Sequence, residues 1–352
     1  GHKATKSESR TYELPSLEEL NEQRKEEQKD QIKELEDVFK KMQQFNKDVQ
    51  QLKKETNESK SNNWNKLNKV EKLQHDQLQL QQQIQESLEE MKQSTDQKNQ
   101  LSPLDEQLLE KQALLEELLK EVMDDELKAL LDQLEALLKE QDKEQSKDKL
   151  EQLQQSSEDM NKQLDRSLEL LKKMQVNERI DDLEKELNQL AKEQEDLKDE
   201  TPNLSKEELL QKQKELNEKF EDVKKELKEV QELNKDLARP LDLDILDALE
   251  QQVSDDLKNA AQEISEGKSK KAGEKQKSAA DGMKAMSSQL NAKQNQSNKE
   301  QQEEDPAEEV TDWTEDTDIG ISWDYSAERD NNNVENMSRD YSEKRDADNE
   351  DD

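Results

Sequence analysis

Two histidines, His2 and His75, are the only imidazoles in a chain of 352 residues that contains no cysteine. Imidazole and thiolate are the usual zinc ligands, and imidazole is the usual proton carrier near neutral pH. His75 stands among Gln and Leu residues without HExxH spacing, so it reads as a solvent-facing helical residue. The five glycines (Gly1, Gly267, Gly273, Gly282, Gly320) allow no phosphate loop, no dinucleotide fingerprint and no G-x-S-x-G elbow. Carboxylates are abundant, but acid–base catalysis needs them in a pocket that shifts their pKa. Asp312 to Asp318 has the acidic spacing of a calcium loop, yet lacks Gly at the sixth position and Glu at the twelfth. Diffuse, weak cation binding is the most it allows. The expectation is no catalytic residue, no cofactor and no metal site.

What remains is chemistry of association. Lys268, Lys270, Lys271, Lys275 and Lys277 form the one basic cluster. It suits the C-terminal dipole of a helix ending at Gly267, with an anionic lipid or polymer as the alternative partner. Trp313, Trp323, Tyr325 and Tyr341 lie in an acidic tail, where aromatic residues are unusual, and could form a docking motif. Between Leu104 and Leu138 the leucines come in adjacent pairs, and adjacent helical positions are about 100° apart. Leu108, Leu115, Leu119, Leu127, Leu131, Leu134 and Leu138 therefore belong to an apolar surface too wide for one partner helix. This segment reads as the hub onto which other helices fold, or as a face for a client helix.

The elements that position these residues must be helices. Hydrophobic residues make up 28% of the chain, charged residues 41% and aromatics 3%. That is too little apolar material for a conventional globular core, but it fits long helices of Ala, Glu, Lys, Leu and Gln. The net charge of −36 argues against nucleic-acid binding, which relies on phosphate neutralisation by bases. No run approaches the ~18–20 apolar residues of a membrane span, and Gly1 opens no signal peptide. A membrane anchor would have to lie outside this sequence.

In chain order, residues 1–15 read as a flexible segment or the remnant of a preceding domain, with a weak alternation at Thr11 to Leu14. Ser16-Leu17-Glu18-Glu19 forms a capping box, and helices follow over 16–100 with a break near 53–63. The first seam, Leu17, Leu20, Ile32, Leu35, Phe39, Met42, Phe45, Val49 and Leu52, implies a three-residue slip near Met42. Trp64, Leu67, Val70, Leu73, Leu80, Ile84, Leu88 and Met91 form the second. Ser102-Pro103 opens a leucine-rich hub helix over 102–145, in which Lys139 to Lys149 could be helix or loop. Over 146–200 a heptad helix carries two stripes. Leu150, Leu153, Ser157, Met160, Leu164, Ser167, Leu171 and Met174 form one, and Ile180, Leu183, Leu187, Leu190, Gln194 and Leu197 the other. They are two residues out of phase, a rotation of roughly 200°, so the helix must bend or change partners near Asn177.

Pro202 marks a hairpin connection, and Ser205 to Glu208 is another capping box. The helix over 205–238 has the cleanest seam, with Gln213 and Asn234 at positions where polar residues fix register. Val223 and Val230 at d-type positions favour an antiparallel partner. Residues 242–295 read as a weaker helical hairpin capped by Asp242 or Asp244, its first helix carrying Leu246, Leu249, Val253, Leu257, Ala260 and Ile264 and its second Ala280, Met283, Met286 and Leu290. From Gln301 onward 20 acids face 4 bases, so residues 296–352 are expected to be a disordered acidic tail.

Three stretches carry a resemblance. Tyr12 to Glu22 (YELPSLEELNE), Ser156 to Thr201 and Gly267 to Met286 (GKSKKAGEKQKSAADGMKAM) resemble a family of large membrane-anchored coiled-coil proteins of the Gram-negative bacterial envelope. The likeness spans roughly residues 10–293 and is strongest at SSEDMNKQLDRSLELLKKMQVNE, within the second stretch. It implies a transmembrane region and a β-sandwich ahead of this chain, and a periplasmic setting, with the cytoplasm still open. The family has no assigned activity, so no catalytic residue carries over, and the acidic tail after Ser297 departs from its carboxyl-terminal pattern. The expected protein is all-α, an elongated array of long helices with coiled-coil and helical-hairpin packing. It would be a non-enzymatic scaffold or spacer of the envelope acting through protein partners or self-association. The alternative is a chaperone-like adaptor holding a client helix on its leucines.

Overall fold

Eight α-helices account for nearly all the described residues of the computed structural model, which describes 17–58, 63–101, 106–123, 125–201 and 203–303. Side chains are described for 22–58, 63–96, 108–123, 125–201 and 203–299. The helices are α1 (Leu17–Asn57), α2 (Asn63–Leu101), α3 (Glu106–Val122), α4 (Glu126–Glu140), α5 (Lys143–Glu200), α6 (Lys206–Lys235), α7 (Ile245–Ser265) and α8 (Ser269–Glu303). The alternation at Thr11 to Leu14, the caps at Ser16 and Ser102-Pro103, Pro202, and the tail from 304 lie outside the described residues.

The fold is all-α, built from long helices packed as antiparallel hairpins around two cores. The first core takes side chains from α1, α2, α3, α4 and the amino-terminal half of α5, from Leu35 to Met174. The second takes the carboxyl-terminal half of α5 with α6, α7 and α8, from Val176 to Leu290. Contacts fix the chain directions. Lys72 meets Asp48 at 2.5 Å and Lys41 meets Gln83 at 2.8 Å, so α1 and α2 are antiparallel. Lys172 meets Glu36 across α5 and α1 at 2.8 Å, Gln74 meets Asp132 across α2 and α4 at 2.8 Å, and Gln163 meets Glu121 across α5 and α3 at 2.9 Å. The first core is thus an up-down-up-down bundle whose third member is α3 followed by α4. In the second, α6 runs against α5 (Lys219 to Glu193, 2.7 Å) and α7 against α6 (Gln231 to Asp247, 2.9 Å). The ring then closes, with α8 against α7 (Lys275 to Asp256, 2.8 Å) and against α5 (Lys284 to Glu195, 2.8 Å).

The seams explain why these faces are inside, with two corrections. In α1 the buried residues from Leu35 onward are Leu35, Val38, Met42, Phe45, Val49, Leu52 and Thr56, an unbroken 3–4 spacing, with Gln28 buried one heptad before Leu35. Val38 takes the core position and Phe39 is only half-buried, so the slip expected at Met42 does not exist. In α2 the regular positions are Lys66, Val70, Leu73, Gln77, Leu80, Ile84, Ser87 and Met91, whereas Trp64 is 65% exposed. Hydrophobicity alone pointed to Phe39 and Trp64; the heptad geometry of a bundle selects the residues in phase, Val38 and Lys66. The expected seams of α5, α6 and α7 are those observed, apart from half-buried Leu249.

The turns follow local chemistry. The α1–α2 break is shorter than expected, with α1 helical to Asn57 and α2 beginning at Asn63, whose Nδ2 donates to the Leu138 carbonyl at 2.6 Å. The polar stretch after Leu138 resolves into a turn. Gln141 adopts φ 61°, its N–H and that of Asp142 donate to Leu138 and Leu137, and the Asp142 carboxylate then accepts from Glu144 and Gln145. One residue in the left-handed region closes α4 and the next caps α5. At α6 the capping box of Ser205 and Glu208 forms with both reciprocal bonds. Asp244 opens α7 without a side-chain cap bond, while Asp242 pairs with Lys293 at 2.9 Å. Residues 242–295 are therefore half of a four-helix ring, not a separate weak hairpin.

Candidate functional site

The leucines between 104 and 138 do not form a hub helix. α3 ends at Val122 and α4 begins at Glu126, so the segment forms two consecutive pieces that pack on α5 and α2. The half-buried Gln81 of α2 donates to the Met123 carbonyl at 3.1 Å, satisfying backbone that the break releases. Leu115, Leu119, Leu127, Leu131, Leu134 and Leu138 are buried in the first core and Leu108 packs half-buried against it. Leu109 and Leu114, 39% exposed each, are what remains of the wide apolar face. Two neighbouring helices rather than one cover the described leucines, as their width requires. Trp313, Trp323 and Tyr325 lie outside the described residues.

The helix that organises the fold is α5. At 58 residues it is about 87 Å long and takes part in both cores. Its two stripes differ in phase, and near Asn177 the helix exchanges α3 and α4 for α6 and α8 without interruption. Around that point Leu168, Leu170, Leu171, Met174, Gln175 and Val176 are all buried, covering most of the helix circumference. A change of partners accompanies the phase shift, and α5 stays helical through it.

Polar residues inside the second core form a connected layer. Gln194 of α5 and Gln213 of α6 exchange amide hydrogen bonds of 3.1 and 2.8 Å, and the Nε2 of Gln276 in α8 donates to Gln213 at 2.9 Å. All three are fully buried. Gln213 also donates to Asn217 at 3.0 Å, Asn217 donates to the Leu257 carbonyl of α7 at 3.4 Å, and Thr201 donates to Gln276 at 3.4 Å. The layer thus reaches all four helices. Gln194 and Gln213 were visible as polar residues in apolar seams. Gln276 was not, because its seam is made of alanines and methionines. Asn234 does something else: its amide donates to the Leu241 carbonyl and accepts from the Leu241 N–H, both at 2.8 Å, pinning the loop between α6 and α7.

A charged groove lies where α1 crosses from the first core to the second. Lys25 of α1 donates to Glu226 of α6 at 2.6 Å, and Gln28 donates to Glu178 of α5. Burial would lower the Lys25 pKa, but the bond to Glu226 prevails and holds it above its ordinary value. Desolvation pushes Asp182 and Glu186 above the usual carboxylate range, against the pull of Lys185 on the first and of Lys25 on the second. Desolvation likewise draws Arg179 below its ordinary value, and its buried Nε has no hydrogen-bond partner.

The remaining candidates carry less. His75 is exposed and meets Gln79 on its own helix, at 2.9 Å. In the basic cluster Lys268 is paired with Glu263 and Glu266, and Lys275 with the buried Asp256. A cavity of about 40 Å³ lies between α1, α2, α3 and α5, walled by Ile32, Met91, Leu108, Leu115, Leu171 and Met174; it holds about one water or two. Among the described residues no group of three or more His, Cys, Asp and Glu is placed to hold a metal ion, and no helix is long and apolar enough to cross a membrane.

Comparisons with protein-family models, with curated proteins and with solved structures find no match.

Proposed function

We propose that this chain is a non-enzymatic helical strut, a scaffold or spacer that acts through helix–helix packing. One observation carries the reading: α5 runs unbroken through both cores. A solitary helix of this length curves and fluctuates. One flanked along its length by antiparallel partners is held straight by their side-chain packing. The burial of the leucines in α3 and α4 favours this reading over a client-holding adaptor, which needs an apolar face in solvent. We place the strut in the bacterial envelope, on the periplasmic side, following the family resemblance of residues 10–293.

The test is a distance. The chain has no cysteine, so Gln152→Cys and Asp196→Cys, both exposed positions on α5, take spin labels without background. A straight helix separates them by about 66 Å. A strut gives one narrow distribution near that value by pulsed dipolar spectroscopy. A broad distribution, or a mean shortened by 15 Å or so, removes the rigid-spacer reading.

A further inference from the structure

Between Leu20 and Ile32, α1 contains no apolar residue (Asn21 to Gln31 reads NEQRKEEQKDQ). Its hydrophobic attachment to the first core begins at Ile32 and Leu35. The helix nevertheless continues backward past the point where α5 changes partners and lies against α5 and α6 of the second core. What holds it there is polar. From α1 come Arg24, Lys25 and Gln28, with Glu22 at 3.4 Å from Lys25. From α5 come Glu178, Arg179, Asp182, Lys185 and Glu186, and from α6 Asp222, Glu226 and Glu229. Carboxylates outnumber bases on α5 and α6, and α1 brings in Arg24 and Lys25. The Lys25–Glu226 pair is half-buried, with side chains 18% and 32% exposed, so water screens it only in part.

We propose that residues 22–31 of α1 are an ionic latch that closes across the junction of the two cores and opens without disturbing the rest of α1. Closed, it ties the first core to α6, so that α5 is not the only helix joining the cores on that side. Open, it releases α6 and leaves the junction more compliant. The apolar seam from Leu35 to Leu52 holds the remainder of α1 in either state. The device is independent of the strut reading, since α5 stays continuous whether the latch is open or shut.

Hydrogen exchange of the full chain, read by mass spectrometry on peptides covering 22–31 and 42–52, tests it. In about 0.05 M salt the amides of 22–31 exchange at least tenfold faster than those of 42–52, yet slower than an unstructured peptide. Raising the salt to about 0.5 M accelerates 22–31 roughly fivefold and leaves 42–52 unchanged. Lys25→Gln reproduces the acceleration at low salt, by about fivefold. Exchange of both segments in step at both salts overturns the proposal, as does a salt-independent difference between them. Free-peptide exchange of 22–31 at low salt overturns it as well, because no closed state would then exist.

Discussion

Gln213→Leu is the substitution that most directly tests how the second core chooses its register. Gln213 sits at the centre of the amide layer and takes part in four hydrogen bonds: two with Gln194, one from Gln276 and one to Asn217. Leucine is nearly isosteric, so packing volume barely changes. The change leaves both ends of the Gln194 amide and the Nε2 of Gln276 buried without partners. Orphaned groups cost about 1–3 kcal/mol each. The apolar surface that leucine brings returns about 1–2 kcal/mol. With three such groups orphaned, the net expectation is a loss of roughly 1–8 kcal/mol. The triple variant Gln194→Leu, Gln213→Leu, Gln276→Leu should behave differently, since Thr201 keeps its bond to the Leu197 carbonyl and Asn217 its bond to Leu257. It removes the orphans along with the layer and should be more stable than the single variant, matching or exceeding the wild type. Urea unfolding followed by helical circular dichroism gives the stability. Hydrogen exchange assigns the change to α5, α6 and α8 rather than to the first core. If the single variant is neutral, or the triple variant is the less stable of the two, the layer does not work as described.

Three further outcomes are expected. A Cβ at Gly282 would lie 2.6 Å from Cγ2 of the fully buried, rotamer-restricted Val253, whereas at Gly273 the nearest atom is the Lys198 stem at 3.5 Å. Gly273→Ala should therefore stabilise by about 0.5–1 kcal/mol and Gly282→Ala destabilise by about 1–2 kcal/mol, the latter offset in part when Val253→Ala is added, as thermal denaturation will show. Asp182 has its pKa raised by desolvation, so the folded state binds the proton more readily than the unfolded state, and this group's destabilising contribution grows as pH rises from the unfolded to the raised folded pKa and is constant above it. Asp182→Asn should accordingly raise stability more at about pH 7.5 than at about pH 4, and an advantage constant across that range would refute the assignment. Asn234→Leu leaves the Leu241 N–H and carbonyl without their partner and should cost about 2–3 kcal/mol, read as faster exchange confined to residues 236–246.

The failure of the leucine segment as a hub is instructive about local signals. Leucine pairs measure how wide an apolar face is, and α3 and α4 do need two neighbours. Width says nothing of centrality. That belongs to α5, whose narrower stripes are longer in sum and change phase once, a pattern present in the sequence near Asn177. Of the association residues named from sequence, the leucines face inward. The latch residues went unnoticed because a polar run on a helix looks like solvent-facing surface until a second helix is found beside it.

By itself the sequence determined the helical class, the seams of α5, α6 and α7, the Ser205 cap and the position of the partner exchange. Each of these depends on residues within a few turns of one another, through 3.6-residue periodicity and backbone capping. Tertiary structure alone decided that Val38 rather than Phe39 points inward, that α3 and α4 are separate pieces, and that α7 and α8 close a ring with α5 and α6. A seam records that a face is covered, not by which helix or by how many. In α8 the first half of that face is Ala272, Ala279, Ala280 and Gly282, too small to announce burial by hydrophobicity, and at Gly282 the close approach of Val253 of α7 leaves no room for a Cβ.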